Sequence, residues 1–275
     1  MVNGPDRLAD TPLLPIKMTI LFNDVRRLMA ISILFAVSLI PAPVSAEESV
    51  TVLVYHRFGP TAADSMTVTT PVFEAELKYL HDNGYVFVPL REVVNFVAGR
   101  GDVPARAVAI TADDGHQTVF TEMKPLVERY RIPVTLFIYP SAISNASYAM
   151  TWDQLARLKA TGLFEIESHT YWHPNFHIEK QRLSPDAYRN FVAMQLNKSR
   201  ETLDRRLDLK VDMLSWPFGI YDDDLITMAQ NAGYVAGFTI QRHHASRRDN
   251  VMAIPRYIVT DHDRGAAFEA ILREQ

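Results

Sequence analysis

The chain has 275 residues, 48% of them apolar, and a formal net charge of −4. This is enough for one sizeable core or two small domains, and it supplies no global basic field to attract nucleic acid. Cysteine is absent, which excludes disulfides, thiolate zinc sites, a cysteine nucleophile and a lipid-modified cysteine anchor, without fixing the compartment.

At the N-terminus, Arg26-Arg27 precedes the apolar run Leu28 to Ile40, followed by Pro41-Ala42-Pro43 and Val44-Ser45-Ala46. A positive flank, a short apolar core and a small-x-small exit predict a secretory signal over residues 1–46, cut after Ala46. Met18 is an alternative start. The run is short for a membrane span, and an uncleaved N-terminal anchor is the alternative reading. The expected location is periplasmic or secreted, with no stable membrane insertion unless that segment is retained.

After Ala46 there are no repeats, low-complexity tracts or Pro/Gly-rich linkers, which predicts a single domain over 47–275. Val50 to Tyr55 reads as a strand. Thr70 as N-cap and Pro71 at the first helical position open a helix with Phe73, Leu77 and Leu80 on one face, ending near Gly84. Tyr85 to Val88 is the next strand, and Val93, Val94 and Val97 mark a helix. Ala107 to Thr111 is a third strand, followed by a helix carrying Phe120, Met123, Val127 and Tyr130. Val134 to Ile138 is a strand. Thr151-Trp152-Asp153-Gln154 has the form of a capping box, opening a helix that closes near Gly162. Leu163 to Ser168 is a strand, and Ser184-Pro185 opens a long helix to about Leu207. Met213 to Trp216 is a strand, and Asp222-Asp223-Asp224 starts a helix closing at Gly233. Val235 to Ile240 and Tyr257 to Thr260 complete the strands, before a last helix from about Arg264. Strands alternating with helices predict an α/β fold with a parallel sheet, and their number favours a (β/α) barrel over an open sheet. No glycine-rich phosphate loop follows a strand, so nucleotide binding has no support.

In such barrels the chemistry gathers at the C-terminal strand ends. Asp113-Asp114-Gly115 lies directly after strand 107–111. Adjacent carboxylates repel, so the pair makes sense beside a positive charge, or where one acid must stay ionised to accept a proton. The segment Glu167-Ser168-His169-Thr170-Tyr171-Trp172-His173-Pro174 is a second rim site, because Pro174 pushes His173 away from helical geometry. Two neutral imidazoles and a carboxylate suit zinc or a similar divalent ion, and three protein ligands leave positions open for water and substrate. One acid of the pair can bind the ion while the other serves as general base. The basic stretch Gln241 to Arg248 is either a solvated loop or a site for an anionic or sugar ligand.

With these motifs the chain resembles the polysaccharide deacetylase family, also called carbohydrate esterase family four. Leu53-Val54-Tyr55-His56 is similar to the family's opening strand. Thr111-Ala112-Asp113-Asp114-Gly115 resembles its Thr-Phe-Asp-Asp-Gly motif, and His169-Thr170-Tyr171-Trp172-His173 its His-Ser/Thr-x-x-His motif. Pro133 to Phe137 and Ala232-Gly233-Tyr234 match connecting segments. The resemblance covers nearly all of 50–260. It implies a distorted (β/α) barrel of seven or eight strands and hydrolysis of N-acetyl groups on a sugar polymer. It further implies Asp113 as general base, with Asp114, His169 and His173 holding the metal, zinc first, with cobalt or nickel as alternatives. The form Trp216-Pro217-Phe218-Gly219 looks like the branch acting on poly-β-1,6-N-acetylglucosamine of biofilms. By the same resemblance these four residues contact substrate, with a backbone N–H near Phe218 stabilising the oxyanion. Tyr171 and Trp172, between the two histidines, are placed to stack on sugar rings, whereas Trp152 is assigned to packing.

The chain departs from the pattern in places. Ala112 replaces the usual aromatic, and His116 stands where an aromatic or proline is common. The third motif begins with Ser215 where the family commonly has an arginine that orients the catalytic aspartate. Arg256, in Ile254-Pro255-Arg256-Tyr257, is the expected substitute. The family's late histidine, the general acid, has no clear counterpart; His243 and His244 are the choice by position, with His262 a third. His56 either lines the site, as its counterpart does in the family, or is a core histidine.

Rival readings are an O-acetyl esterase using the same site and a sugar-binding domain that has lost activity. A non-haem iron oxygenase would need a His-x-Asp spacing on a jelly roll. A glycosidase would need two carboxyls flanking a bond, which adjacent residues can hardly do.

Overall fold

The structure is a computed structural model and describes residues 49–273; the predicted signal segment lies outside the described residues. Strand β1 (Ser49–Tyr55) lies beside β5 (Ala107–Asp113), followed by β6 (Val134–Ile138), β7 (Phe164–Ser168), β8 (Met213–Ser215) and β9 (Ala236–Phe238), every neighbour parallel. The free edge of β1 is shared by β10 (Ala245–Ser246), antiparallel, and β11 (Tyr257–Ile258), parallel. The short β4 (Val86–Phe87) pairs with the start of β5. A separate parallel pair, β2 (Arg57–Gly59) and β3 (Thr67–Thr69), leads into the first helix.

The sheet curls into the expected distorted (β/α) barrel. Its seam is not a regular ladder. Ile254 bridges to Phe238 of β9, and the same segment continues through Arg256 into β11 on β1. One short piece of chain therefore closes the fold.

Side-chain alternation along the strands sorts residues to the two faces. Outward-facing Leu53, Ile110, Leu136, Ile166 and Leu214 join the core beneath the helices. Inward-facing Val50, Val52, Ala107, Ala109, Phe137, Met213 and Phe238 fill the barrel. Small residues on β5 leave room for the Phe137 and Phe238 rings, 5.2 Å apart. The N-terminal end is closed by helix α2 (Leu90–Val97), whose apolar side packs on the interior cluster. Its Arg91 reaches Glu165 at 2.9 Å, Glu167 at 3.1 Å and Asp212 at 2.9 Å. With the base plugged in this way, the interior is reached from the C-terminal strand ends.

The outer layer follows its sequence signals. Helix α1 (Thr70–Asp82) has Thr69 at its N-cap position, one residue before the expected one and without a side-chain capping bond, and Pro71 in its first turn. A π-helical turn, Val119–Met123, precedes α3 (Lys124–Tyr130). Helix α4 (Trp152–Ala160) carries both bonds of the Thr151/Gln154 capping box. Helix α5 (Phe176–Arg182) is absent from the sequence reading; the Asn175 side chain caps it by accepting from the Ile178 N–H at 3.1 Å. Helices α6 (Pro185–Leu207), α7 (Asp223–Asn231) and α8 (Ala266–Arg273) complete the shell. Strand β5 runs two residues beyond its expected end, because Asp113 pairs with Phe137 of β6. No helix of the described residues is long and apolar enough to cross a membrane.

Helix α1 buries a carboxyl against β1. Glu76 is 4% exposed, and its Oε2 accepts from the Tyr55 hydroxyl at 2.9 Å. Burial is the main cause that pushes its pKa up to about 8 from an ordinary 4.5. Between those pH values the folded state keeps a proton that the unfolded state releases. Stability therefore falls as pH rises, by up to about 1.4 kcal/mol per unit. Glu76→Gln keeps an acceptor for Tyr55 and removes this slope. Thermal denaturation should show the variant gaining on wild type at pH 8 and matching it near pH 5; a pH-independent difference would refute the assignment.

Candidate functional site

Asp113 ends β5 on the inward face, in line with Ala107, Ala109 and Thr111. In a continuing strand the next side chain would point outward. Asp114 instead has φ 73°, and Gly115 follows at φ 75°. This left-handed step brings two consecutive carboxylates to one cavity. Glycine suits this step, because its φ disfavours any L side chain and an added Cβ would also crowd Ile138 Cδ1 at 3.0 Å and Ile143 Cδ1 at 3.2 Å. The β7 loop uses the same device: Thr170 at φ 63° and His173 at φ 61° fold it back, so that both histidines face the aspartates. The loop is pinned by His173 N–H on Thr170 Oγ1 at 3.2 Å and Trp172 N–H on Gln195 Oε1 at 3.0 Å.

Asp114, His169 and His173 converge, with one donor atom from each lying within 4.8 Å of the others. Asp114 Oδ1 is 3.6 Å from His169 Nε2 and 3.7 Å from His173 Nε2. His169 Nδ1 lies 2.8 Å from the Ser215 carbonyl oxygen. A carbonyl only accepts, so Nδ1 carries the proton and Nε2 presents its lone pair to the cluster. Burial, then the neighbouring His173, pushes the His169 pKa down to about 3; burial lowers His173 as well. Both imidazoles are thus neutral, as metal ligation requires. Burial and the adjacent Asp113 raise Asp114.

Asp113 sits beside this cluster with its Oδ2 3.8 Å from His169 Nε2. It is 2% exposed, and Arg256 is fully buried. Arg256 Nη1 donates to Asp113 Oδ1 at 2.9 Å and Nη2 to Oδ2 at 2.7 Å. Nη1 also donates to Thr111 Oγ1 at 3.1 Å, Nη2 to Ser215 Oγ at 2.6 Å, and Nε to the Thr239 carbonyl at 3.1 Å. The Ser215 hydroxyl in turn donates to Asp113 Oδ2 at 2.9 Å. Burial alone would raise the Asp113 carboxyl; the Arg256 guanidinium outweighs it and holds the group well below the usual carboxylate range.

The cavity over these residues measures about 380 Å³. Trp216, Phe218 and Gly219 line it, as do His56, Arg57, Met66, Tyr139, Ile240 and Ile258. Pro217 is buried in the 3₁₀ turn behind Phe218. Phe218 stands at φ 57°, with its ring 4.6 Å from that of His173.

The structure separates several other expected site residues from the cavity. His244 lies on the chain leading into β10, at the N-terminal end of β1, with Nε2 3.2 Å from Thr51 Oγ1 and 2.7 Å from the Ile271 carbonyl. His243 is half exposed and pairs with Asp249 at 3.0 Å. His262 is exposed. The general-acid position expected of His243 or His244 is therefore corrected: the antiparallel turn into β10 carries both to the opposite end of the barrel. Tyr171 and Trp172 also fall outside the lining. Lys198 covers the Tyr171 ring at 4.1 Å, and Trp172 packs on Phe191 at 5.4 Å. The backbone reversal at Thr170 and His173 that turns the imidazoles inward leaves the intervening aromatics outside. Arg247, from the basic stretch, is engaged with the Phe96 and Gly101 carbonyls and with Asp102. Sequence reasoning missed Tyr139, Met66 and Ile240. Tyr139 directly follows β6, and its position at a strand end was the available signal.

The Asp113–Arg256 pair makes a stability prediction. Arg256→Ala leaves a buried carboxylate without its counter-charge and should cost about 3–5 kcal/mol in urea denaturation. Adding Asp113→Asn to that variant should recover a large part of the loss. Equal stability of the single and double variants would show that the charge pair is not the cause.

Residues 100–237, half of the chain, match the polysaccharide deacetylase family. The poly-β-1,6-N-acetyl-D-glucosamine N-deacetylase of Staphylococcus aureus (strain MRSA252) is 26% identical over 211 residues, covering 75% of this chain and 71% of the relative. Among solved structures, IcaB from Ammonifex degensii superposes with a TM-score of 0.72 at 24% identity, covering 83% of this chain and 98% of that one. Streptococcus pyogenes deacetylase PplD, in complex with acetate, gives 0.73 at 20% identity, covering 83% and 100%. These structural likenesses speak for a shared fold. Together with the Asp-Asp-Gly and His-x-x-x-His strand ends around one cavity, the family match means that this chain belongs to the polysaccharide deacetylase family.

Proposed function

We propose that the chain is a divalent-metal-dependent hydrolase that removes N-acetyl groups from an N-acetylglucosamine-containing polysaccharide and releases acetate. The observation that carries this reading is a carboxylate kept ionised by a buried arginine, next to three convergent donors of metal-ligand type. The relative named for N-deacetylation of poly-β-1,6-N-acetyl-D-glucosamine supports the substrate class.

Asp114, His169 and His173 fit a divalent ion: two neutral imidazoles and one carboxylate suit zinc, with cobalt or nickel as alternatives. When bound, such an ion supplies Lewis acidity, polarising the acetamide carbonyl and acidifying the attacking water. Asp113 accepts the proton of that water. Arg256 and Ser215 hold it in one orientation, and because they also weaken it as a base, acidification of the water by the ion would have to supply the driving force. Phe218 offers its backbone N–H to the developing oxyanion. The leaving amine needs a proton, and His56 is its donor in this reading. Among the described residues His56 is the cavity-lining histidine outside the ligand trio, and its Nδ1 is buried without a partner. Residues 47–275 form the catalytic domain, and residues 1–46 direct it to the periplasm or the exterior.

Acetate release should be measured with metal-reconstituted protein on chito-oligosaccharides, poly-β-1,6-N-acetylglucosamine and acetylated xylan. Release is expected from the N-acetylated polymers. Asp113→Asn should retain metal and lose about 10²–10⁴ in turnover, and His56→Gln should also fall steeply. Release from xylan alone would replace the reading with an O-acetyl esterase, and near-wild-type turnover of Asp113→Asn would sink the mechanism. The processed protein should begin at Glu47 on N-terminal sequencing of the exported form; recovery of residues 1–46 would instead support an anchor.

A further inference from the structure

A chain of rings leads from the cavity lining outward. The Phe218 ring is 4.6 Å from that of His173, and the His173 ring is 5.5 Å from that of Tyr139. The Tyr139 hydroxyl is 2.7 Å from the Tyr148 hydroxyl. The Tyr148 ring lies parallel to the His116 imidazole, at 6.1 Å and 11°. The metal-type cluster thus sits near the middle of an aromatic arc, with Phe218 at one end and Tyr148 at the other.

Tyr148 is 42% exposed, yet its loop is firmly held. Ala149 bridges to His116, the Gln117 N–H donates to the Tyr148 carbonyl at 2.8 Å, and the Met150 N–H to the Gly115 carbonyl at 2.9 Å. These bonds tie the loop to the residues just after Asp113-Asp114. With the His116 imidazole parallel to it and its hydroxyl bonded to Tyr139, the ring is held before any ligand arrives while much of its surface stays in solvent. A large amphipathic ring kept exposed and held by a residue that lines the cavity is the form of a ligand platform. Its occupant must offer a flat apolar face ringed by hydroxyls, which a pyranose does.

We infer that Tyr148 is a sugar subsite, stacking on the pyranose next to the residue that presents its acetamide to Asp114, His169 and His173. Phe218 stands at the other end of the ring chain, beside His173. This rests on the reading of the cavity as a deacetylase site and adds a residue that holds the sugar beside the reacting one.

The test uses metal-loaded protein carrying Asp113→Asn to prevent turnover, with calorimetric titration of N-acetylglucosamine and its linear trimer and pentamer. Affinity should rise with length. Tyr148→Ala should weaken pentamer binding by about tenfold and monomer binding little, and Tyr148→Trp should restore it. Unchanged metal content would separate this from a structural effect. The proposal is overturned by parent affinity that does not grow with length, by unchanged pentamer binding in Tyr148→Ala, or by equal loss for monomer and pentamer. If wild-type protein releases no acetate from any polymer but length-dependent binding persists and still needs Tyr148, the subsite stands and the deacetylase reading falls.

Discussion

Arg256 sits on the segment that closes the barrel between β9 and β1, and its guanidinium is spent entirely inside. Every N–H of that group has an acceptor among Asp113, Thr111, Ser215 and the Thr239 carbonyl. The Phe137 ring centre lies 5.2 Å from the guanidinium carbon and the Phe238 centre 5.9 Å away. Two charges this deep are tolerable only when paired and fully hydrogen-bonded. Closing the fold and fixing the reactive carboxylate are therefore one event. If the seam opened, Asp113 would lose both its partner and its reason to stay ionised.

Ser215 explains how an arginine so far along the chain can act here. Its carbonyl fixes the His169 tautomer, and its hydroxyl links Asp113 to Arg256. The small Ser215 side chain leaves room beside Asp113 for the Arg256 guanidinium, which arrives from the seam and bonds both.

The cost of the site is stored in the backbone. Asp114, Thr170, His173 and Phe218 all adopt left-handed φ values without being glycine. Such residues cost of order 1–3 kcal/mol each and persist where the surroundings over-determine them. Here they convert strand ends, whose side chains would diverge, into groups that converge. The same reversals push Tyr171 and Trp172 outward, and the aromatic wall is supplied instead by Tyr139, Trp216 and Phe218.

The alternation of β-rich runs and helical faces determined the barrel, because period-2 and period-3.6 patterns are local and survive without tertiary context. Thr151, Ser184 and Asp222 marked helix starts for the same reason. Asp113-Asp114 and His169-x-x-x-His173 were legible as a pair of rim motifs, since strand ends in such a fold face one mouth. What stayed hidden was whatever depended on contacts between distant segments. Helix α5 lacked a long apolar stripe. His243 and His244 lay late in the chain, as a general acid should, yet the turn into β10 carried them to the far end. Tyr139 and Tyr148 carry no motif, and only loop closure makes them neighbours. By itself the sequence named the chemical groups and the strand ends that bear them. The tertiary structure decided which groups meet, because a backbone reversal of one residue, or a seam closed by one arginine, leaves no periodic trace in the chain.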